Sequence, residues 1–232
     1  MLENCDMDRA GVEQDGMLVL GIDTCGPAGS VALGRLSGTG VEVLEQTALE
    51  GRTYSATLVS AIDHLLQAQG VGLPEIGCIV VVSGPGSFTG VRVGLSAAKG
   101  LAEGADLRVV AVSRLEVLAV AAGIADAVLD AHRHEIFLRA AGREMLAGAA
   151  DLAAIEPAPA RVALCDDGAG AVLAKAWPAA ELVRVPPPTA ADALRLAAPR
   201  VRAGEFADVA LLDGHYLRRS DAEIFGDPAA RT

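Results

Sequence analysis

The period of the hydrophobic positions changes several times along the chain, and each change marks an element. Residues 18–22 and 30–33 are short runs of Val, Ile, Leu and Ala that read as strands. They are joined by a turn-forming stretch, Asp23-Thr24-Cys25-Gly26-Pro27-Ala28-Gly29, and 41–49 supplies a third strand of a meander. From Thr53 the period lengthens: Leu58, Ile62, Leu65 and Leu66 recur at helical spacing, and Gly70 with Gly72 stops the helix. Residues 79–82 form a continuous apolar run, as expected of a buried strand, and end in Ser83-Gly84-Pro85-Gly86. Residues 90–102 then have helical composition, and 109–112 form a strand leading into a helix that starts near Ser113.

The second half repeats this alternation less clearly. Residues 128–139 read as a strand or strand pair, 161–165 as a strand, 169–177 as a helix and, after three prolines, 190–203 as a last helix. The stretch up to residue 160 has no assignable period. The pattern divides the chain into an extension at 1–16, with Met17 a candidate start, α/β halves at 17–112 and 113–220, and a tail at 221–232.

At 232 residues and 52 % apolar the chain can bury a real core, yet only 3 % is aromatic, so close-packed small side chains must fill it. A formal net charge of −11 argues against unaided binding to nucleic acid, which draws its affinity from Lys and Arg on phosphates. Arg200 with Arg202 and Arg218 with Arg219 are the local exceptions, expected to be paired on a solvated face. Cys5, Cys25, Cys78 and Cys165 lie far apart, without a C-x-x-C pair, which suits scattered thiols in a reducing compartment. No apolar run approaches the roughly 18 residues that span a bilayer, so a cytoplasmic location without a membrane partner is expected.

The glycine-rich run from Ser83 to Arg92 lies between a strand and a helix, where backbone N–H groups and the helix dipole can hold an anion. Its glycines at 84, 86 and 90 match neither a Walker A loop nor G-x-G-x-x-G. The other reading is a tight turn with Ser87 or Thr89 as N-cap, opening a helix whose Gly90, Gly94, Ala97 and Ala98 admit a second helix closely.

Four segments in order, LGIDTCGPAGSVAL, SGPGSFTGVRVGLSAAKGLA, VLDAHRHEIFLRA and GHYLRR, resemble the TsaB (YeaZ) family. The resemblance implies an actin-like (ASKHA, ribonuclease H-like) fold of two related α/β halves, shared with the transferase TsaD. It further implies a non-catalytic scaffold for a TsaD-type transferase, which attaches threonylcarbamoyl to the adenosine beside the anticodon of tRNAs reading A-starting codons. A TsaE-type ATPase completes the set, tRNA is met only through the complex, and the chain alone forms a homodimer. The family's contact surface is a helix pair, here expected at 53–67 and 90–101, with Leu58, Ile62, Leu65, Gly90, Val91, Gly94, Leu95 and Ala98 as interface residues.

The resemblance also bears on chemistry. TsaD carries an H-x-x-x-H metal pair where this chain has Arg114 and Leu118, neither able to ligate a metal, so no catalytic or metal site is expected. Asp23 is the candidate for the phosphate-side carboxylate of an actin-like site, with Ser87 and Thr89 as further candidate nucleotide contacts; no cofactor of the chain itself is expected, and ATP or ADP at a subunit interface is the one candidate. Of the segment 130–135, Asp130 and Glu135 match the family, whereas His132 and His134 depart from it; on a strand, Asp130, His132 and His134 would share one face as metal ligands. Two enzyme readings therefore stand beside the scaffold: an actin-like ATP-dependent small-molecule kinase, and a metallopeptidase of the kind implied by the older glycoprotease (M22) label, although H-E-x-x-H is missing.

Overall fold

The computed structural model describes residues 15–51 and 53–218. The expected extension and tail thus lie almost wholly outside the described residues, as do Cys5 and Arg219. A meander of β1 (Leu18–Asp23), β2 (Ala28–Ser37) and β3 (Gly40–Glu50) is followed by α1 (Tyr54–Ala68), β4 (Ile76–Val82), α2 (Phe88–Ala105), β5 (Arg108–Val112) and α3 (Arg114–Ala122). The same succession then recurs as β6 (Ala127–Asp130), β7 (Ile136–Ala140), β8 (Arg143–Ala147), α4 (Ala149–Ala153), β9 (Arg161–Leu164), α5 (Asp167–Ala176), β10 (Glu181–Arg184) and α6 (Ala190–Ala203). The strand orders β3-β2-β1-β4-β5 and β8-β7-β6-β9-β10 are equivalent, with matching parallel and antiparallel pairs. Two related α/β halves of actin-like type are therefore present.

Local chemistry accounts for the element boundaries. β1 and β4 are covered on both faces and are correspondingly apolar throughout. β3 closes the first sheet with exposed Glu42, Glu45 and Glu50, charges that discourage edge-to-edge pairing. Ser87 caps α2 by accepting the Gly90 N–H, Ser113 caps α3, Asp166 caps α5 and Thr189 caps α6, each satisfying a free N–H of the first turn.

The third helix of each half packs on the other half. Leu115, Leu118 and Ala119 of α3 join Leu129 and Phe137 of the second sheet in one cluster, whereas Ala190, Leu194, Ala197 and Val201 of α6 belong to the core of the first. A Cβ at Gly21 would meet the Ala190 carbonyl at 2.8 Å, so β1 and α6 are nearly in backbone contact. Relative to the division expected at residue 112, α3 packs with the second sheet and α6 on the first.

The turn between β1 and β2 fixes where α2 lies. Thr24 Oγ1 donates to the Gly90 carbonyl at 2.7 Å, and Ser87 N–H donates to the Cys25 carbonyl at 2.8 Å. A Cβ at Gly90 would come to 2.0 Å from the Thr24 carbonyl and one at Gly94 to 2.4 Å from Thr24 Oγ1. The close approach that the small residues permit at these two positions is therefore to the chain's own turn. Gly100 has no such neighbour, since a Cβ there would meet nothing.

These glycines should separate cleanly in urea unfolding. Gly90→Ala is expected to lose about 3 kcal/mol through overpacking against backbone. Gly100→Ala is expected to gain roughly 0.5–1 kcal/mol from helix propensity.

Candidate functional site

The two halves face each other across a cleft whose walls begin with equivalent turns. Asp23 ends β1 and Asp130 ends β6. Each accepts the N–H two residues ahead through Oδ1, from Cys25 at 2.9 Å and from His132 at 2.8 Å. The environments differ. Asp23 is 1 % exposed and its Oδ2 is buried without a hydrogen-bond partner. Burial pushes its carboxyl pKa up, against the opposing pull of the Arg114 guanidinium and the Cys25 N–H.

Arg114 opens α3 and is itself 6 % exposed, with its backbone N–H on the Gly84 carbonyl and its Nε unpartnered. Its charge also acts on Cys25, Tyr54 and Cys165, so one buried cation serves both walls of the cleft. Leu118, one helical turn on, is fully buried in apolar contacts. Of the three expected nucleotide contacts, Asp23 is enclosed beside this cation, whereas Ser87 and Thr89 are exposed at the start of α2 and the Ser87 hydroxyl is engaged as a cap.

The shared face expected of Asp130, His132 and His134 does not form. Residues 132–134 make the β6–β7 turn with φ of 61°, 55° and 63°, so the two-residue alternation of a strand is lost. His132 folds back on Asp130, with Nδ1 3.1 Å from Oδ2, while His134 is exposed and Glu135 is paired with Arg218. No group of three His, Cys, Asp or Glu residues among the described residues could hold a metal ion. Arg200 pairs with Glu116 and Arg202 with Asp15, leaving no basic patch there.

A feature without a sequence signal closes the cleft on one side. Residues 205–218 run from α6 as a strap: Ala207 N–H pairs with Val109 O on the edge of β5, and His215 N–H with Ser83 O at 2.7 Å. Beneath it a cavity of about 510 Å³ is lined by Ser83, Ser113, Arg139, Glu144, Asp213 and His215 among others. Glu144 of β8 accepts from Ser113 Oγ at 2.7 and 2.8 Å and from Arg139 at 3.2 Å, and bonds His215 Nε2 at 2.8 Å. Burial alone would raise its pKa, but the bonds from His215 and Ser113 and the Arg139 charge outweigh this and lower it. One carboxylate thus ties the second half to the end of β5 and to the strap. His215 falls in the GHYLRR segment; nothing in the pattern singled out Glu144.

The eight expected interface residues prove to be internal. Leu58, Ile62 and Leu65 of α1 and Gly90, Val91, Gly94, Leu95 and Ala98 of α2 are all buried in the chain's own core. Helical spacing identified the inner face of each helix. The outer faces carry Ala56, Val59, Ser60 and Asp63 on α1 and Thr89, Ser96 and Gly100 on α2, with Val93 and Ala97 half-buried. Val59 is 62 % exposed. The two helices lie against each other.

A family model described as TsaD, tRNA N6-adenosine threonylcarbamoyltransferase, matches residues 43–193. The tRNA threonylcarbamoyladenosine biosynthesis protein TsaB of Haemophilus influenzae is 38 % identical over 135 residues, 55 % of this chain and 55 % of its own length. The Escherichia coli protein of the same name is 39 % identical over 103 residues, 44 % of this chain and 43 % of its own length. The chain spans about half the length of the curated relatives it matches. The structure of YeaZ from Pseudomonas aeruginosa superposes with a TM-score of 0.70 at 27 % identity, covering 87 % of this chain and all of that one.

The Glu144 cluster sets a pH dependence. A carboxyl pKa lowered by folding adds stability above its unfolded value, near 4.5, that is lost as the pH falls through the folded value. Glu144→Gln should therefore cost about 1–2 kcal/mol at neutral pH. In urea titrations the gap to the wild type should close progressively below pH 4.5.

Proposed function

The chain belongs to the TsaD family, on its TsaB (YeaZ) branch, and from that membership we propose that it is a non-catalytic partner subunit that scaffolds a TsaD-type transferase. The reaction served is the attachment of threonylcarbamoyl to the adenosine next to the anticodon of tRNAs that read A-starting codons. The observation that carries the proposal is the outer surface of α1 and α2. It exposes Ala56, Ser60, Thr89, Ser96 and Gly100 beside Val59, so a helical partner can approach without disturbing the buried faces of the two helices.

Two features of the cleft support a non-catalytic role. A buried cation, Arg114, stands beside Asp23, and a buried leucine follows one turn later on α3. The kinase reading loses support because Asp23 is enclosed with that cation, and the metallopeptidase reading because His132 and His134 diverge in a turn. A TsaE-type ATPase joins the assembly, and tRNA is met through the partner, in keeping with the net charge of −11. Without the transferase the same face pairs two copies of the chain. The chain alone holds no cofactor; ATP or ADP held at the subunit interface would meet Ser87 and Thr89 at the start of α2, whereas Asp23 is enclosed away from that face. The setting is cytoplasmic; no helix among the described residues is long and apolar enough to cross a membrane.

Size-exclusion chromatography of the full chain with a purified TsaD-type transferase tests the scaffold. A stable complex is expected, lost on Gly100→Trp while the melting temperature of the variant alone is kept. Failure of the wild type to associate would overturn the proposal. Calorimetry should show saturable ADP uptake by the complex and none by the chain alone.

A further inference from the structure

Beside the small-residue surface, on the flank of α2 that meets the strap, lies a group of side chains of opposite character. Phe88 is 45 % exposed and Tyr216 39 % exposed, with ring centroids 5.3 Å apart. The Arg92 guanidinium lies over the Phe88 ring at 3.7 Å, and its Nε reaches Tyr216 Oη at 3.4 Å. Further along, Lys99 Nζ donates to the Ala210 carbonyl at 3.4 Å, next to Leu211, which is 80 % exposed. Phe88, Arg92 and Lys99 follow helical spacing, so they form one stripe along α2 with the strap lying alongside.

Folding alone does not account for this group. Two large rings left in water contribute little to the chain's stability, yet they are already held in place by stacking and a hydroxyl bond, so little rotamer freedom remains to be lost on contact. Phe, Tyr and Arg are also the side chains in which interface energy concentrates, whereas the neighbouring Ala, Ser and Gly positions supply complementarity and little else. The charge is informative too. On a chain of net charge −11, Arg92 and Lys99 are paired with no carboxylate among the described residues.

We propose that Phe88, Arg92 and Tyr216 anchor the partner surface, receiving from the transferase a carboxylate side chain flanked by an apolar one. This rests on the scaffold reading above and extends its interface from the two helices onto the strap. The carboxylate bonds the Arg92 fork, the apolar neighbour lies against Phe88 and Leu211, and Lys99 adds a second positive charge at the rim. Because the strap is tied to the second half through His215 and Glu144, a partner seated on Tyr216 also touches the element that joins the halves.

Isothermal titration calorimetry of the full chain with the purified transferase decides the matter. Arg92→Glu is expected to weaken binding at least about tenfold, Phe88→Ala and Tyr216→Ala by roughly threefold to thirtyfold each, and Arg92→Lys by an intermediate factor because it keeps the charge and loses the planar stack. Added salt should weaken the wild type more than Arg92→Glu. Melting temperatures of the unbound variants should stay at the wild-type value, which separates a lost contact from a lost fold. If Arg92→Glu and Phe88→Ala bind the transferase like the wild type while Gly100→Trp does not, the anchor is refuted and the scaffold stands. If Arg92→Glu impairs only self-association of the chain, the anchor faces a second copy and the proposal fails. If the wild type itself shows no binding, the scaffold reading falls and takes the anchor with it.

Discussion

The contact between the β1–β2 turn and the start of α2 is the constraint on which the arrangement depends. Thr24 presents its carbonyl to Gly90 and its hydroxyl to Gly94 at distances that leave no room for a Cβ. With the helix brought down to the turn, Ser87 is held on the Cys25 carbonyl and caps α2, Val91 and Leu95 face the sheet, and the opposite side of the helix is left outward. Asp23, which ends β1 just before this turn, is enclosed as well. An actin-like carboxylate that would otherwise open into the cleft is 1 % exposed, and its negative charge is answered from within by Arg114. The close approach thus settles which side of α2 faces outward.

The second half repeats the topology without repeating that contact. Its turn at 131–135 has the same carboxylate and the same local bond, but three residues in left-handed conformation turn the chain outward, and Asp130 stays partly accessible. Besides the exchanged helices, the halves are joined at polar points: Glu144 with Ser113 and His215, Glu135 with Arg218, Glu116 with Arg200.

Much of the first half is legible in the sequence because its strands are buried on both faces and its helices keep strict periodicity. The runs at 18–22 and 79–82 and the spacing of Leu58, Ile62 and Leu65 correspond directly to β1, β4 and α1. That spacing marks the buried face of a helix, and Leu58, Ile62, Leu65, Val91 and Leu95 lie in the core for that reason, whereas an outer face of Ala, Ser and Gly has no period of its own. The stretch before residue 160 holds a five-residue strand and a five-residue helix, too short for a period to show. His132 and His134 misled because alternation implies a shared face only in a strand. Glu144 and the strap are legible only in space, since they bring together residues 31 and 71 positions apart.

The exchange of third helices has a consequence for synthesis on the ribosome. The face of the first sheet that carries Gly21 and Gly34 is covered by α6, whose last residue is Ala203, although the strands themselves are complete at Val112. Until that helix emerges, a finished sheet has one apolar side open to solvent and to other nascent chains. The second half must therefore be translated, and its intervening strands paired, before the first can close. The two halves are related in topology, but neither is an independent folding unit.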